Sequence, residues 1–460
     1  MEIPTPSDEA SKTSGIESVR TSNDVLSFQN SEQTDVTDFP TPSEGSVITP
    51  DASMINFFHF EDDFGDELDT RDLVVRVDNP EKHSGTLDSY VTFRITTKTT
   101  RSDFDGHEYS VRRRYNDFFW LKQKLEQAHP SCIIPPLPEK YALQQLQRFT
   151  QEFLRSRMIG LHQFLNRVVD HKAFSKDESL KVFLTSKPYE FAAHRKKDSV
   201  GLVSRMSDTI QSLATPYLLR SQPPPEEFQA ASQYATLLGE KLASTERIAQ
   251  RISREEQEHI LELNELQAAF TLWGASESEL GSGLCALATA LDKCSSAQQE
   301  VTDLFQAKQA PILHEQLLQV ESVKEALKRR DAAQIEYELT ADALSKRKQE
   351  RQQLEASGPG FSINVLLGKS AESTKKDREQ RLDDVIEQLT RSVEESQLVH
   401  QNMNVELKEE IEEWNTSRQK DIRQVFLGMA DQRINYYQRC LSAWEAALSE
   451  LRNKGSSATT

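Results

Sequence analysis

The sequence has little of what several classes of protein require. No run of about 18 apolar residues occurs, the length that a helix needs to cross a bilayer, and the first residues lack the basic-then-apolar order of a secretory signal. The four cysteines are scattered, without a Cys-x-x-Cys pair or matching histidines. We therefore expect free thiols in a reducing compartment, no disulfide framework, no zinc site and a cytoplasmic location.

Patterns of catalytic residues are missing as well. The ten histidines show no spacing typical of a Ser/His/Asp triad or a metal site. Gly368-Lys369-Ser370 matches the end of a phosphate-binding loop, but position 363, where that motif needs a glycine, is Ile363. We expect no enzymatic activity, no cofactor and no metal ligands.

The charge is distributed unevenly along the chain. The net charge is −18, yet residues 1–70 alone carry −14, whereas residues 71–190 carry +5 and residues 191–220 carry +3. The first segment is also rich in Ser, Thr and Pro, and such a composition favours disorder. The balance predicts a disordered acidic tail, a basic globular domain and an acidic remainder.

Residues 71–190 have the pattern of a small α+β domain. Apolar and polar residues alternate from Leu73, and two further runs, from Tyr90 and from His107, are rich in β-branched and aromatic residues. These runs predict a three-stranded antiparallel sheet. A helix is expected from 116 to 128, and two more helices complete the domain.

Residues 221–453 have the pattern of three long helices, with a bend at Pro311 and a loop over 357–375. The heptad seam of the first helix is predicted at Leu238, Leu242, Thr245, Ala249, Ile252, Glu256, His259, Leu263, Leu266, Phe270 and Trp273. The seam of the last is predicted at Tyr437, Leu441, Trp444, Leu448 and Leu451. An all-α elongated bundle that dimerises is expected, followed by a disordered C-terminus at 454–460.

A basic segment marks the candidate binding site. Arg112, Arg113, Arg114 and Tyr115 stand where the third strand meets the first helix. A helix N-terminus offers unpaired N–H groups to a phosphate, and an arginine beside it adds a forked donor. The alternative is that the arginines only solvate an edge strand.

The wider constellation resembles a PX domain. The basic segment is followed by Ile134-Pro135-x-x-Pro138-x-Lys140 and then by Arg157-x-x-x-Leu161, in that family's order. The resemblance implies binding of phosphatidylinositol 3-phosphate, with Arg114 on the 3-phosphate and Tyr115 beneath the inositol ring. It also implies Lys140 near the 1-phosphate and Arg157 on the far hydroxyls, and Asn116 is added as a polar contact. Tyr141 and Leu143 either contact the membrane or pack.

A PX domain followed by three long helices is similar to the PX-BAR sorting nexins, over about 71–452. Strings such as Met429-Ala430-Asp431 and Tyr436-Tyr437 resemble the branch of sorting nexins seven and thirty, with sorting nexin four more distant. The resemblance implies a peripheral protein of early endosomes that senses or generates curvature as a BAR dimer. Endosomal recycling, autophagy-linked sorting and a homodimer or heterodimer with another PX-BAR sorting nexin are implied as well.

Residues 191–220 are predicted to form an amphipathic linker helix with a basic entry. Its apolar stripe, and the predicted membrane-insertion residues, are Val200, Val203, Met206, Ile210 and Leu213. The alternative is a helix that packs on the bundle. On the second long helix, the basic runs 328–330 and 346–348 are candidate membrane contacts or a solvated face.

Three functions remain after these exclusions. The first is a trafficking adaptor whose PX and BAR parts act together on membranes. The second is a PX-targeted coiled-coil scaffold or tether without curvature activity. The third, a nucleic-acid binder, is disfavoured because no recognition helix or aromatic stacking platform accompanies the basic residues.

Overall fold

The computed structural model describes residues 71–84, 89–140, 150–196, 223–356 and 371–457. Several predictions lie outside these ranges and stay predictions. They are the acidic tail 1–70, most of the 357–375 loop, Tyr141, Leu143, and the linker residues Val200, Val203, Met206, Ile210 and Leu213.

The first folded part contains the predicted three-stranded antiparallel sheet. Its strands are β1 (Leu73–Ser84), β2 (Ser89–Thr99) and β3 (Glu108–Arg114), paired in the order β1-β2-β3. A bulge interrupts β1 between Asp78 and Glu81, where Asn79 has a φ of 45°. Asparagine tolerates this left-handed conformation.

Helices cover one face of this sheet. They are α1 (Tyr115–Ala128), α2 (Gln151–Asp170), α3 (Glu178–Thr185) and α4, helical over 188–196. Thr150 and Asp177 cap α2 and α3 by accepting from Phe153 N and Ser179 N. The core between sheet and helices includes Val75, Val77, Phe93, Ile95, Phe118, Leu121, Leu161, Phe164, Leu165 and Phe183. An α+β domain with this sheet is what the sequence predicts.

The second folded part is helical, also as predicted. It consists of α5 (Glu226–Ser276), α6 (Gly281–Leu304), α7 (Ala310–Ala356) and α8 (Ala371–Ser457). Pro225 stands at the N-cap of α5 and two glutamates fill its first turn, which suits a helix start. None of the described helices is long and apolar enough to cross a membrane.

The predicted bend of the second long helix lies one turn earlier than Pro311. A π-helical turn over Phe305–Gln309 separates α6 from α7. Proline has no N–H for the helical ladder, and a π-turn is one way to accommodate the missing bond. The helix also begins at Gly281, later than the predicted start near Ser276. Close approach of the chain at this turn explains the glycine there, since a Cβ on Gly281 would lie 2.7 Å from the Gly274 carbonyl oxygen.

The packing seam of α5 differs from the predicted one. Leu242 is buried as expected, but Thr245, Ile252, His259, Leu266 and Trp273 are exposed. The buried residues are instead Gly239, Ser253, Ile260 and Gly274, each one position after a predicted seam residue. The helices approach closely along this line, because a Cβ on Gly239 would come within 3.3 Å of Val320 Cγ1. Half of the predicted seam therefore remains on the surface.

Ion pairs connect the two folded parts. Arg167 of α2 pairs with Glu315 of α7 and, from its Nη2 at 2.8 Å, with Asp421 Oδ2 of α8. Arg329 of α7 donates to the Pro130 and Cys132 carbonyl oxygens at 2.9 and 2.8 Å.

These contacts change the interpretation of the basic run 328–330. Arg330 is fully buried beside Asn404 and His400, and Arg329 binds backbone of the α+β domain. Neither guanidinium is therefore available to a membrane, and the membrane interpretation is wrong for these two. The run 346–348 is exposed, with Lys346 paired to Asp342 and Arg347 to Glu350.

Candidate functional site

The three consecutive arginines at the end of β3 have three different surroundings. Side chains alternate between the faces of a strand, so Arg113 points into the core while Arg112 and Arg114 lie on the outer face. Arg113 is 1% exposed and donates to the Phe183 and Ser186 carbonyl oxygens at 3.0 and 2.6 Å. Burial lowers its pKa to about 10. It therefore fixes β3 to the end of α3 and is unavailable to a ligand.

The Arg112 side chain is paired with residues of the β1 bulge and of β2. Its Nη2 lies 2.9 Å from Glu81 Oε2 and donates to the Asn79 carbonyl oxygen at 2.8 Å, while its Nε donates to Thr92 Oγ1 at 2.9 Å. Burial lowers the pKa of Arg112, and the Glu81 carboxylate opposes that effect. Arg112 and Arg113 therefore have structural partners, and the alternative that the arginines only solvate an edge strand is wrong for the buried Arg113.

Arg114 is the arginine that remains available. Its guanidinium carbon lies 4.9 Å from the centre of the Tyr90 ring, and no carboxylate among the described residues pairs with it. Its backbone N–H donates to Asp117 Oδ2 at 2.8 Å. The other oxygen of Asp117 accepts from Arg195 Nη1 at 2.7 Å, so the acidic residue at this helix start is already paired. A positive guanidinium thus stands at the N-terminus of α1.

Tyr115 and Arg157 are in direct contact. The Arg157 guanidinium carbon lies 4.5 Å from the centre of the Tyr115 ring and 4.3 Å from that of Phe153. The Tyr115 hydroxyl donates to the Pro138 carbonyl oxygen at 2.7 Å, and Arg157 Nη2 donates to the Glu139 carbonyl oxygen at 3.0 Å. Burial raises the pKa of Tyr115, opposed by the Arg157 charge. The tyrosine therefore stays a neutral hydrogen-bond donor.

The proline segment, residues 134–140, lies against the backbone of α2. A Cβ on Gly160 would lie only 2.8 Å from Pro138 Cβ, so the segment rests directly on helix backbone. Lys140, two residues later, is exposed with its Nζ 5.9 Å from the centre of the Phe119 ring. Asn116 is exposed on the first turn of α1.

The predicted residues therefore lie around one place on the surface. Arg114 and Tyr115 come from the join of β3 and α1, Lys140 from the proline segment and Arg157 from α2. Arg157 contacts the half-buried Tyr115 ring, Arg114 precedes Tyr115 in the chain, and Lys140 follows Glu139, to whose carbonyl Arg157 donates. Three cations near one aromatic ring suit an anionic ligand with a ring of its own. Tyr90 and His83 were missed, because only the strand pairing brings them to Arg114, and the pairing register is not evident from the sequence.

Comparisons with known proteins identify the family. The PX domain model matches residues 101–187. Sorting nexin-30 of Homo sapiens is 37% identical over 415 residues, which are 90% of this chain and 85% of that protein. Sorting nexin-7 of Homo sapiens is 36% identical over 406 residues, which are 88% of this chain and 94% of that protein. This chain belongs to the sorting nexin family.

The predicted position within the family is confirmed. Sorting nexin-4 of Emericella nidulans is 26% identical over 414 residues, 84% of each chain, and is thus more distant than sorting nexins 30 and 7. The solved structure of the SNX-BAR Mvp1 tetramer covers 81% of this sorting nexin and 99% of that chain, with a TM-score of 0.57 and 18% identity. At that identity the likeness shows the fold alone, a PX domain with a BAR-type helical bundle.

Family membership determines the coarse function. A PX-BAR sorting nexin is a peripheral membrane protein of membrane trafficking, and membership of the family supports a role in sensing membrane curvature. The PX and BAR parts imply binding of phosphoinositides or membranes and BAR-type dimerisation.

This sorting nexin also has a polar cluster where its two folded parts meet. Cys132, His171 and Glu410 place one ligand atom each within 4.8 Å of one another. His171 Nδ1 accepts from the Ala173 and Phe174 N–H groups at 3.3 and 3.4 Å, so the ring hydrogen is on Nε2, 2.9 Å from Glu410 Oε1. A metal on Nε2 would need the opposite tautomer. The cluster is therefore a hydrogen-bonded junction.

Proposed function

We propose that this sorting nexin binds phosphatidylinositol 3-phosphate through Arg114, Tyr115, Lys140 and Arg157. The observation that carries the proposal is the contact of Arg157 with Tyr115, together with the hydrogen bonds from both to the proline segment that bears Lys140. These contacts support the proposal because they hold Arg157 against Tyr115 and tie both to the segment that leads to Lys140.

Each residue has a role that its chemistry suits. Arg114 takes the 3-phosphate, because a guanidinium at a helix N-terminus gives a dianion both forked and backbone donors. Tyr115 supports the inositol ring, Arg157 binds hydroxyls on its far side, and Lys140 meets the 1-phosphate. Asn116 adds a polar contact from the first turn of α1.

The bundle supplies the second part of the proposed function. Tyr437, Leu441 and Trp444 of α8 are 64%, 60% and 43% exposed, an apolar surface of the kind that oligomerisation covers. We infer a BAR dimer, either with a second copy or with another PX-BAR sorting nexin. The dimer senses or generates curvature on early endosomes, in sorting, recycling and autophagy-linked trafficking. The linker is proposed to insert into the membrane through Val200, Val203, Met206, Ile210 and Leu213.

The test of the lipid site compares two arginines of the α+β domain. Arg114→Gln is expected to abolish flotation with vesicles that contain phosphatidylinositol 3-phosphate, with little change in melting temperature, because its side chain pairs with no carboxylate among the described residues and stacks only on the partly exposed Tyr90 ring. Arg155→Gln removes the same charge from an exposed position of α2 and is expected to float like the unmodified protein.

Two outcomes would count against the site. Unaltered flotation of Arg114→Gln would remove Arg114 from the site, and equal flotation with vesicles containing phosphatidylinositol alone would remove the requirement for the 3-phosphate. Equal losses of flotation in both variants would show that binding depends only on general positive charge, which acts in proportion to the number of basic residues near the membrane surface.

A further inference from the structure

The pairing of the strands places several side chains around Arg114 on the outer face of the sheet. Thr92 pairs with Glu81 of β1 and with Arg114 of β3, so these three form one row. Tyr90 precedes Thr92 by two residues and pairs with His83, which makes the next row on the same face. Tyr90 is therefore a diagonal neighbour of Arg114, within reach of aromatic and long side chains.

These side chains stack on one another. The Arg114 guanidinium carbon lies 4.9 Å from the centre of the Tyr90 ring. The His83 ring lies 5.0 Å from the Tyr90 ring at an interplanar angle of 21°. Tyr90 is 40% exposed, so the stack borders solvent.

Hydrogen bonds and an ion pair support the His83 end of the stack. His83 Nε2 lies 2.8 Å from Thr92 Oγ1, which also accepts from Arg112 Nε. Arg112 is paired with Glu81. Burial lowers the pKa of His83; the Glu81 charge raises it, and the charges of Arg112 and Arg114 lower it further. A neutral His83 adds no positive charge that would repel the Arg114 guanidinium.

We propose that Tyr90 is a positioning residue for Arg114, with His83 as its support. The inference rests on the proposed function, because it names what holds the phosphate-binding guanidinium in place. A cation over an aromatic face loses part of its freedom before a ligand arrives. Such preorganisation reduces the entropy that binding would otherwise cost.

The experiment measures binding of soluble inositol 1,3-bisphosphate to the full chain by calorimetry, beside flotation with vesicles. Tyr90→Leu removes the aromatic face and is expected to weaken headgroup binding by about tenfold. Tyr90→Phe keeps the face without the hydroxyl and is expected to recover the affinity that leucine loses. Circular dichroism checks that both variants keep their helical and strand content.

A double-mutant cycle separates positioning from general support of the fold. The ammonium of Arg114→Lys lacks the planar guanidinium that stacks on the ring. In that background Tyr90→Leu is expected to cost less than about threefold, because the stacked partner is already missing. Equal losses in the arginine and lysine backgrounds would overturn the proposal.

The outcomes distinguish this inference from the proposed function. If the unmodified chain binds neither the soluble headgroup nor the vesicles, the proposed function fails and the inference fails with it. If the unmodified chain binds both and Tyr90→Leu binds the soluble headgroup equally well, only the inference is overturned. A loss confined to vesicles would make Tyr90 a membrane contact and would overturn the inference too.

Discussion

His162 lies on α2 where that helix covers β1. Its Nδ1 accepts from the Val77 N–H at 3.3 Å, so the imidazole is neutral in the folded protein. Burial, together with the charges of Arg76 and Arg71, lowers its pKa to about 4, and the Asp78 charge opposes this effect. Protonation would place a cation beside two others and remove the acceptor of a strand N–H.

A dependence of stability on pH follows from His162. The pKa in the folded state lies below the unfolded value of 6.5, so the contribution to stability is complete above pH 6.5 and is lost as the pH falls toward 4. The loss at pH 5 is about 2 kcal/mol. Thermal unfolding of the α+β domain is expected to show it as a drop in melting temperature between pH 7.5 and 5.

The matched variant is His162→Gln, which retains an acceptor for Val77 without a titrating group. Its melting temperature is expected to be lower than that of the unmodified chain at pH 7.5 and to fall less on acidification. An identical fall in both proteins would assign the acid sensitivity to other groups.

The arginine triplet shows which surroundings of single side chains can be predicted from the sequence. Alternation along a strand is enough to separate Arg113 from its two neighbours once the strand is recognised. The difference between Arg112 and Arg114 depends on the β1 bulge, which brings Glu81 and the Asn79 carbonyl to Arg112. A bulge changes register by one residue, and nothing in the local composition of β1 specifies the partner strand's position.

At the scale of elements, α5 shows that only part of the predicted seam packs within one chain. The helix has two apolar lines, and the more hydrophobic one, with Leu266 and Trp273, is the exposed one. The bundle instead packs along Gly239, Ser253 and Gly274, because small residues let neighbouring helices approach. Hydrophobic periodicity finds apolar lines but does not say which partner each one meets.

A substitution at the contact between Gly160 and Pro138 is expected to weaken headgroup binding without lowering the stability of the fold. Gly160→Ala is expected to push Pro138 away from α2, since the added Cβ would lie 2.8 Å from Pro138 Cβ. Displacement weakens the hydrogen bonds from Tyr115 and Arg157 to this segment, and binding of inositol 1,3-bisphosphate should fall by about tenfold, the equivalent of about 1.4 kcal/mol. Alanine favours a helix more than glycine by up to about 1 kcal/mol. Because this gain offsets the cost of displacing Pro138, the melting temperature should change little.

Ser156→Ala is the control for that variant, because Ser156 is exposed on the same helix. It is expected to bind the headgroup like the unmodified chain. If Gly160→Ala also binds normally, the proline segment tolerates displacement and does not position Lys140.

At the scale of the whole molecule, a single headgroup site and an exposed apolar surface complement each other. One lipid site is a weak anchor on a bundle whose charge is mostly acidic. Joining two chains along α8 would make the second binding event intramolecular, which raises the apparent affinity without any new lipid contact. The apolar line at Tyr437, Leu441, Trp444, Leu448 and Leu451 is exposed at every position, as a dimer seam requires.

The dimer is tested by adding charge to that seam. Leu441→Glu with Trp444→Glu is expected to halve the mass measured by sedimentation, because both side chains would be buried by a partner. Vesicle flotation should weaken by about tenfold or more through the loss of bivalency, whereas binding of soluble inositol 1,3-bisphosphate should stay the same. Ala446→Glu adds a charge to an exposed position on the other side of α8 and should leave the mass unchanged. A dimeric double variant would exclude this seam, and a monomeric one with undiminished flotation would show that one site suffices.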